Sequence, residues 1–377
     1  MEDIKLWLWF TLAMGGHKTL ARELYKDVGS IKTIYEYTKS DYLDRNINNE
    51  KRLAALCDKS FKKAEDTLWF AEKYGVKIIP IDSPEYPESL KQIYDPPLVL
   101  YVRGTHFEPD NELYIAMVGT KNADDYGYEM AYHLAKDLAS AGVTVLSSMS
   151  KGLDGYIHKA TLDAGGFTTA VLPGGVNSCY VAENRELMKR ILNHGAVVSE
   201  YGFHEYAYGS NFAARNRIIS GLCMGTIVVQ APKKSGTLLI AKYANDQGRD
   251  VFGVPGPISN TRCEGVNELI KSGAGMVTKA QDIIEEYIKI YPNRIRTDNF
   301  GTNDVEFEMP IGGKSSESVE KVILNCLEAA PKRKDEIIIE TGLDASAVNG
   351  AITMLELEDR VEKDSFGNYH IKNNPTR

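Results

Sequence analysis

From Ile4 to about Ala64 the apolar residues recur at helical spacing, and Met14-Gly15-Gly16-His17-Lys18 makes a tight turn between two helices. The pattern predicts a small all-α domain over residues 1–65, SAM-like or helix-hairpin-helix-like. Such a turn is able to present backbone N–H groups to a DNA phosphate, although a short Gly-Gly turn between two core helices is the commoner use. From Glu112 to Glu286 the spacing changes to short β-branched runs that alternate with helical stretches. Strands are expected over Leu113–Val118, Val143–Leu146, Thr168–Leu172, Ala196–Val198, Thr226–Val229 and Asp250–Val254. Continuous apolar strands separated by helices imply a mostly parallel sheet covered on both faces, a doubly wound α/β architecture whose ligands bind at the carboxyl ends of the strands. Val76–Pro80 and Leu98–Val102 are expected to extend one edge.

The chain from about 291 to 314 is rich in Asn, Gly, Asp and Thr and has no apolar period, so it reads as a linker. Beyond it, Ser318–Leu327, Lys334–Thr341 and Ala345–Leu357 have helical spacing, and 361–371 reads as a hairpin with a Gly-Asn turn. Three helices followed by a β-hairpin is the order of a winged helix, placed at 315–377.

Composition narrows the functional classes. Apolar residues make up 43% and charged residues 25% of the 377, ordinary values for a folded globular protein. With 44 basic and 52 acidic residues the net charge is −8, so a uniformly basic nucleic-acid coat is ruled out and any anion must bind locally. The five cysteines are scattered and form no C-x-x-C, which encodes neither a disulfide framework nor a zinc knuckle and fits a reducing cytoplasm. Leu6–Met14 lacks the basic flank and cleavage site of a signal peptide, and no run reaches the ~18 apolar residues of a membrane span. A cytoplasmic protein without membrane attachment is expected.

Three loops carry candidate chemistry. The first strand runs into Gly119-Thr120-Lys121, which brings backbone N–H groups, a hydroxyl and an ammonium to the carboxyl edge of the sheet, as an anion site requires. No G-x-G-x-x-G is present, so the glycines for close approach to a dinucleotide pyrophosphate are missing. Gly312-Gly313-Lys314-Ser315 imitates the end of a P-loop, but Glu308 occupies the place of its first Gly and no strand leads in. The second strand opens into Ser147-Ser148-Met149-Ser150-Lys151-Gly152-Leu153-Asp154. Asp154 and His158, four apart on a helix, suit an acid/base pair or metal ligation, against the plainer roles of a capping Asp and a hydrogen-bonded His. The third loop, Lys233-Lys234-Ser235-Gly236-Thr237, again follows a strand and opens a helix.

Tyr206 to Arg249 is the electrostatic outlier, with six basic residues and one acidic, a local +5. Within it, Asn211-Phe212-Ala213-Ala214-Arg215-Asn216-Arg217 sets an aromatic near two guanidinium groups and two amides, the residue types that stack bases and bind phosphates in single-stranded nucleic acid. The plainer alternative is a solvated helix face with Phe212 in the core.

Taken in order, these motifs resemble the DNA-processing protein A family (DprA, also called Smf). The series is collinear over about 210 residues, from Tyr86-Pro87-Glu88-Ser89-Leu90 and Pro96-Pro97-Leu98-Val99-Leu100-Tyr101-Val102-Arg103-Gly104 to Gly265-Val266-Asn267-Glu268-Leu269-Ile270-Lys271-Ser272-Gly273-Ala274. Between them stand Glu183-Asn184-Arg185-Glu186-Leu187, Asn216-Arg217-Ile218-Ile219-Ser220-Gly221-Leu222, Ser235-Gly236-Thr237-Leu238 and Gln247-Gly248-Arg249-Asp250-Val251-Phe252-Gly253-Val254-Pro255-Gly256. The helical start and terminal winged helix agree with the longer members. The family's usual Gly-Ser-Arg is here Gly119-Thr120-Lys121, which keeps the charge but loses the bidentate fork, so a weaker hold on the strand is expected. Its usual Gly-Cys-Gly is Pro173-Gly174-Gly175. The chain is a divergent member by this reading, and its host need not be transformable.

The resemblance implies a Rossmann-like domain over 66–290 that binds single-stranded DNA, protects it, forms a homodimer and loads the RecA recombinase in natural transformation, without catalysis, metal or cofactor. Lys121, Arg215, Arg217, Lys233 and Lys234 are expected to neutralise phosphates. Lys151, Arg185, Asn211 and Asn216 are placed among the DNA-binding residues, Gly119, Thr120, Ser235 and Gly236 as small-residue or backbone donors, and Phe212 as a base stacker or wedge. The alternative is a nucleotide-binding or phosphoribohydrolase-like enzyme on a related fold, suggested by Leu172-Pro173-Gly174-Gly175; that signature continues with Gly-Thr and a Glu, where Val176-Asn177-Ser178 follows here. A pure interaction scaffold would require the +5 segment to be only a solvated face. The acidic winged helix, with eight basic and twelve acidic residues over 315–377, is expected to face a protein.

Overall fold

The β-branched runs form strands at every place the pattern marks. In the computed structural model, which describes residues 2–203, 205–292, 294–295, 319–341, 345–357, 360–364 and 367–372, they are β1 (Val76–Pro80), β2 (Val99–Gly104), β3 (Tyr114–Val118), β4 (Thr144–Ser148), β5 (Thr168–Val171), β6 (Gly195–Ser199), β7 (Gly225–Val228) and β8 (Asp250–Gly253). A further strand, β9 (Gly275–Met276), was not expected, because two residues carry no period to read. The order is β1-β2-β6-β5-β4-β3-β7-β8-β9. From β6 through β9 neighbouring strands pair in parallel. β1 and β2 close one edge antiparallel, with Val76 opposite Arg103 and Tyr101 opposite Ser199.

This order fixes where a ligand can enter. From β3 the chain winds outward through β4 and β5 to β6, then crosses back to β7 on the other side of β3. The loops that leave β3, β4 and β7 therefore diverge around one crevice at the carboxyl edge, the switch point of a doubly wound sheet. Helices cover both faces. Ile115, Met117, Val145 and Ile227 point into one apolar cluster with the helix Asp125–Ser140, while Ala116, Val118, Leu146 and Val228 point into another with Ile218 and Ile219.

The second cluster runs on into the N-terminal helices, where Trp7, Leu8, Phe10 and Met14 join Leu100 and Val102 of β2. The expected boundary at 65 is crossed by the helix Lys62–Tyr74, and residues Met1–Asp304 form one compact unit. At the Gly-Gly turn, Gly15 takes a φ of +59°, and Lys18 just beyond is drawn inward, its Nζ 3.5 Å from Glu200 Oε2 and 3.4 Å above the Tyr201 ring. The Lys18 ammonium thus serves the protein's own carboxylate.

The second unit, Val305–Arg377, holds the helices Val319–Ala329, Lys334–Thr341 and Ala345–Leu357 and the strands Val361–Lys363 and Tyr369–Ile371. Ile323, Leu327, Ile337, Ile352 and Leu355 make its own core. Gly367 (φ +90°) serves the hairpin turn, and Lys332 bridges to Tyr369 in the manner of a third wing strand. Most of the expected linker, including Gly312-Gly313-Lys314-Ser315, lies outside the described residues. Among the described residues no helix is long and apolar enough to cross a membrane, and no cluster of His, Cys, Asp or Glu is placed to hold a metal ion.

Candidate nucleic-acid interface

The loops after β3, β4 and β7 and the helix Gly209–Leu222 enclose an open cleft of about 520 Å³. Nine of the fourteen residues expected at the site line it: Gly119, Thr120, Lys121, Phe212, Arg215, Asn216, Lys234, Ser235 and Gly236. Lys121 and Lys234 are exposed, and neither is in an ion pair among the described residues. Arg215 lies at the floor, 4% exposed. Its Nη1 donates to the Val171 carbonyl at 3.0 Å, and its Nε is buried with no partner among the described residues. A buried unmatched donor is costly, and the guanidinium of which it is part borders the cleft. The guanidinium carbon sits 5.9 Å from the Phe212 ring centre, and Asn216 Oδ1 is a second buried atom without a partner.

Hydrogen bonds between the loops hold the walls in place. Thr237 Oγ1 donates to the Gly119 carbonyl at 3.0 Å, and the Leu153 amide to the Thr120 carbonyl at 3.2 Å. The close approach requires glycine at 152, whose φ is +78° and whose added Cβ would stand 2.4 Å from the Lys121 carbonyl oxygen. Gly119 is likewise a packing glycine, since a Cβ there would stand 2.3 Å from Leu153 Cδ1.

Several of the expected DNA-binding residues need correction. The Gly119 amide donates to Asp154 Oδ1 at 3.1 Å and the Thr120 amide to the Gln230 carbonyl at 2.8 Å, so neither N–H is left for a phosphate. Free donors at the cleft include the amides of Ser235 and Gly236, which have no partner among the described residues and precede the helix Leu238–Asp246. Arg217 is removed from the site altogether. It is 5% exposed, with Nη2 2.8 Å from Glu200 Oε2 and Nε 3.0 Å from Asp95 Oδ2. Burial works to raise the Glu200 carboxyl, but Arg217 and Lys18 hold it below its ordinary value. Lys151 and Lys233 lie outside the cleft in ion pairs with Glu183 and Glu268, each exposed. Arg185, itself exposed, begins the helix Arg185–Asn193, also outside. The Asn211 amide group is taken up by the carbonyls of Pro173 (3.1 Å) and Tyr206 (3.3 Å).

His158 takes the plainer role, and Asp154 is neither an acid/base partner of it nor a helix cap. Asp154 accepts from Gly119 and from the Ser148 hydroxyl; it braces the neighbouring loop instead of capping its own helix. Burial raises its carboxyl despite those bonds. His158 is fully buried, with Nε2 3.0 Å from the Ser148 carbonyl and Nδ1 2.7 Å from Thr168 Oγ1. A carbonyl only accepts, so Nε2 carries the proton and Nδ1 faces the hydroxyl. Burial pushes the imidazole down to about 4. The Pro173-Gly174-Gly175 turn is packed away too: a Cβ on Gly174 would stand 2.8 Å from the Glu205 carbonyl oxygen, to which the Gly175 amide donates at 3.0 Å.

Sequence reading missed Tyr180 and Gln230. The Tyr180 ring meets Phe212 edge-on at 5.3 Å and its hydroxyl lies 3.2 Å from Ser150 Oγ. Gln230, fully buried, donates to Asp124, the N-cap of the helix after β3, and accepts from the Asp124 amide. Neither stands in a pattern of charge or glycine that would have marked it.

Comparison with known proteins agrees with this fold. The family model for DNA recombination-mediator protein A matches residues 77–288, and that for the DprA winged helix domain matches 312–365. DNA processing protein DprA of Bacillus subtilis is 38% identical over 226 residues, 60% of this chain and 76% of that one. Among solved structures, DprA of Streptococcus pneumoniae aligns with a TM-score of 0.60 at 31% identity, over 70% of this chain and 90% of that one. DprA of Helicobacter pylori, whose structure was determined for its single-stranded DNA binding mode, aligns at 0.52 and 26% identity, over 58% of this chain and 98% of that one. The first match alone spans more than half the chain and holds every wall of the cleft, so the chain belongs to the DNA recombination-mediator protein A family, DprA/Smf.

Proposed function

We propose that this chain binds single-stranded DNA in the cleft, shields it and hands it to a RecA-type recombinase, acting as a homodimer in the cytoplasm and turning over no nucleotide. The observation that carries the binding step is Arg215: a buried guanidinium that borders the cleft and is incompletely paired among the described residues, with the Lys121 and Lys234 ammonium groups, in no ion pair among those residues, lining the same cleft. A phosphate there would accept from the Arg215 guanidinium and from the Ser235 and Gly236 amides, while the two lysines offset its charge. Phe212 on the same wall offers a face to a base beside that phosphate.

Single strands suit the site better than duplex. The cations and the aromatic share one cleft, so a nucleotide that uses both must have its base free to splay from the backbone. Binding measured by fluorescence anisotropy should favour an oligonucleotide over its duplex by at least about tenfold, with free nucleotides weaker still. Equal binding to duplex would refute the proposal. The Helicobacter protein's described mode of binding supports the same substrate class. The handover and the dimer rest on family membership.

A further inference from the structure

Ahead of the helix that carries Phe212 and Arg215 stand two tyrosines with no packing role, Tyr206 at 73% and Tyr208 at 64% exposure. Their backbone is nonetheless held firmly. Gly202 N–H donates to Glu205 Oε1 at 2.8 Å and Glu205 N–H to the Gly202 carbonyl at 3.2 Å. The Glu205 carbonyl accepts from Gly175, and the Tyr206 carbonyl from Asn211 Nδ2. The Tyr208 carbonyl accepts from the Asn211 amide at 3.0 Å. Gly174 makes the approach possible, because any side chain there would strike Glu205. Two large rings thus stand on a held backbone and are left in water, an arrangement that suits a partner with flat faces.

Their place says which partner. Gly209, the next residue, lines the cleft, and Phe212 follows one turn along the helix. A strand whose phosphate sits against Arg215 carries its neighbouring nucleotides out past this segment. We propose that Tyr206 and Tyr208 form a second stacking platform, receiving bases of the same single strand beyond the one at Phe212. This extends the reading given under Proposed function and rests on it. It also assigns Asn211 a positioning role: its amide holds the platform against the Pro173 turn and does not touch the DNA.

The test uses the full chain, an oligo-dT long enough to cross the cleft and its rim, and a strand of the same length with abasic sites in place of the bases. Tyr206→Ala/Tyr208→Ala should weaken oligo-dT binding by about fivefold to a hundredfold, the range for removal of base stacking. It should leave the abasic strand and the salt dependence unchanged, because every phosphate ligand is kept. Tyr206→Phe/Tyr208→Phe should restore binding. Equal weakening on both strands, or none on oligo-dT, would overturn the platform. Arg215→Ala run in parallel separates the two ideas. If it weakens binding and the tyrosine variant does not, only the platform fails; if Arg215→Ala has no effect, the cleft reading fails with it.

Discussion

Two arginines two positions apart on one helix have opposite fates. At ~100° per residue, positions 215 and 217 stand roughly 200° apart around the axis, so one guanidinium faces the cleft and the other the interior. The sequence marks both as phosphate ligands because it shows residue type and spacing, while the direction of the helix face depends on Glu200 and Asp95, which come from distant segments. His158 makes a similar point. Its spacing from Asp154 is legible, but only the fold reveals that it is buried against Thr168 and Ser148. Its imidazole is pushed down to about 4, below the unfolded value, so the unfolded chain binds the proton first as pH falls. Stability should therefore drop from about pH 6.5 towards 4 and level off below, losing up to ~3 kcal/mol from this group. Asp154, raised by burial, works in the opposite sense. The difference between the parent and His158→Gln, which keeps the donor to Ser148, isolates the histidine. Denaturant midpoints of the two should converge as pH falls through this window, and parallel profiles would show that the imidazole is not held neutral.

At the scale of elements, the strands were legible because a buried parallel strand is a short apolar run between helices, and the winged helix because its three helices and hairpin each carry their own period. The loops were legible as to place and only in part as to role. Gly119 and Thr120 look like phosphate donors, whereas their amides tie the crevice together and open donors include those of Ser235 and Gly236. Gly152 decides whether the loops after β3 and β4 can meet. With φ +78° and ψ −135° it occupies a region that is nearly glycine's alone, and Gly152→Ala would drive a methyl into the Lys121 backbone. The expected result is a stability loss of at least ~1–3 kcal/mol together with weaker strand binding, because Lys121 is displaced. Gly165→Ala is the matched control, since Gly165 has φ +74° with nothing within 4 Å of its added Cβ. It should cost stability and leave affinity unchanged. If both variants bind alike, the meeting of these loops does not shape the site.

For the whole molecule, the expected break at residue 65 was not visible as a continuous core, because Trp7, Phe10 and Met14 share helical spacing with any small domain and nothing local shows that their partners are Leu100 and Val102. Charge distinguishes the two units. The span 315–377 carries −4 and has no Lys or Arg from Asp335 to Asp359, which disfavours approach to a polyanion. Truncation after Asp304 should change single-strand affinity by less than about threefold, under ~1 kcal/mol; a tenfold loss would place DNA-binding residues on the winged helix.

The central claim is that the cleft cations, and not the other basic residues of the same domain, hold the phosphates. It is tested most directly by the salt dependence of oligo-dT binding for two triple variants. Lys121→Ala/Arg215→Ala/Lys234→Ala removes the cleft cations, and its slope of log affinity against log salt should flatten by ~2, about 0.7 for each phosphate no longer neutralised. Lys151→Ala/Arg185→Ala/Lys233→Ala removes the same charge outside the cleft and should keep its slope within ~0.7 of the parent. Equal flattening in both, or a greater flattening in the second, would contradict the account.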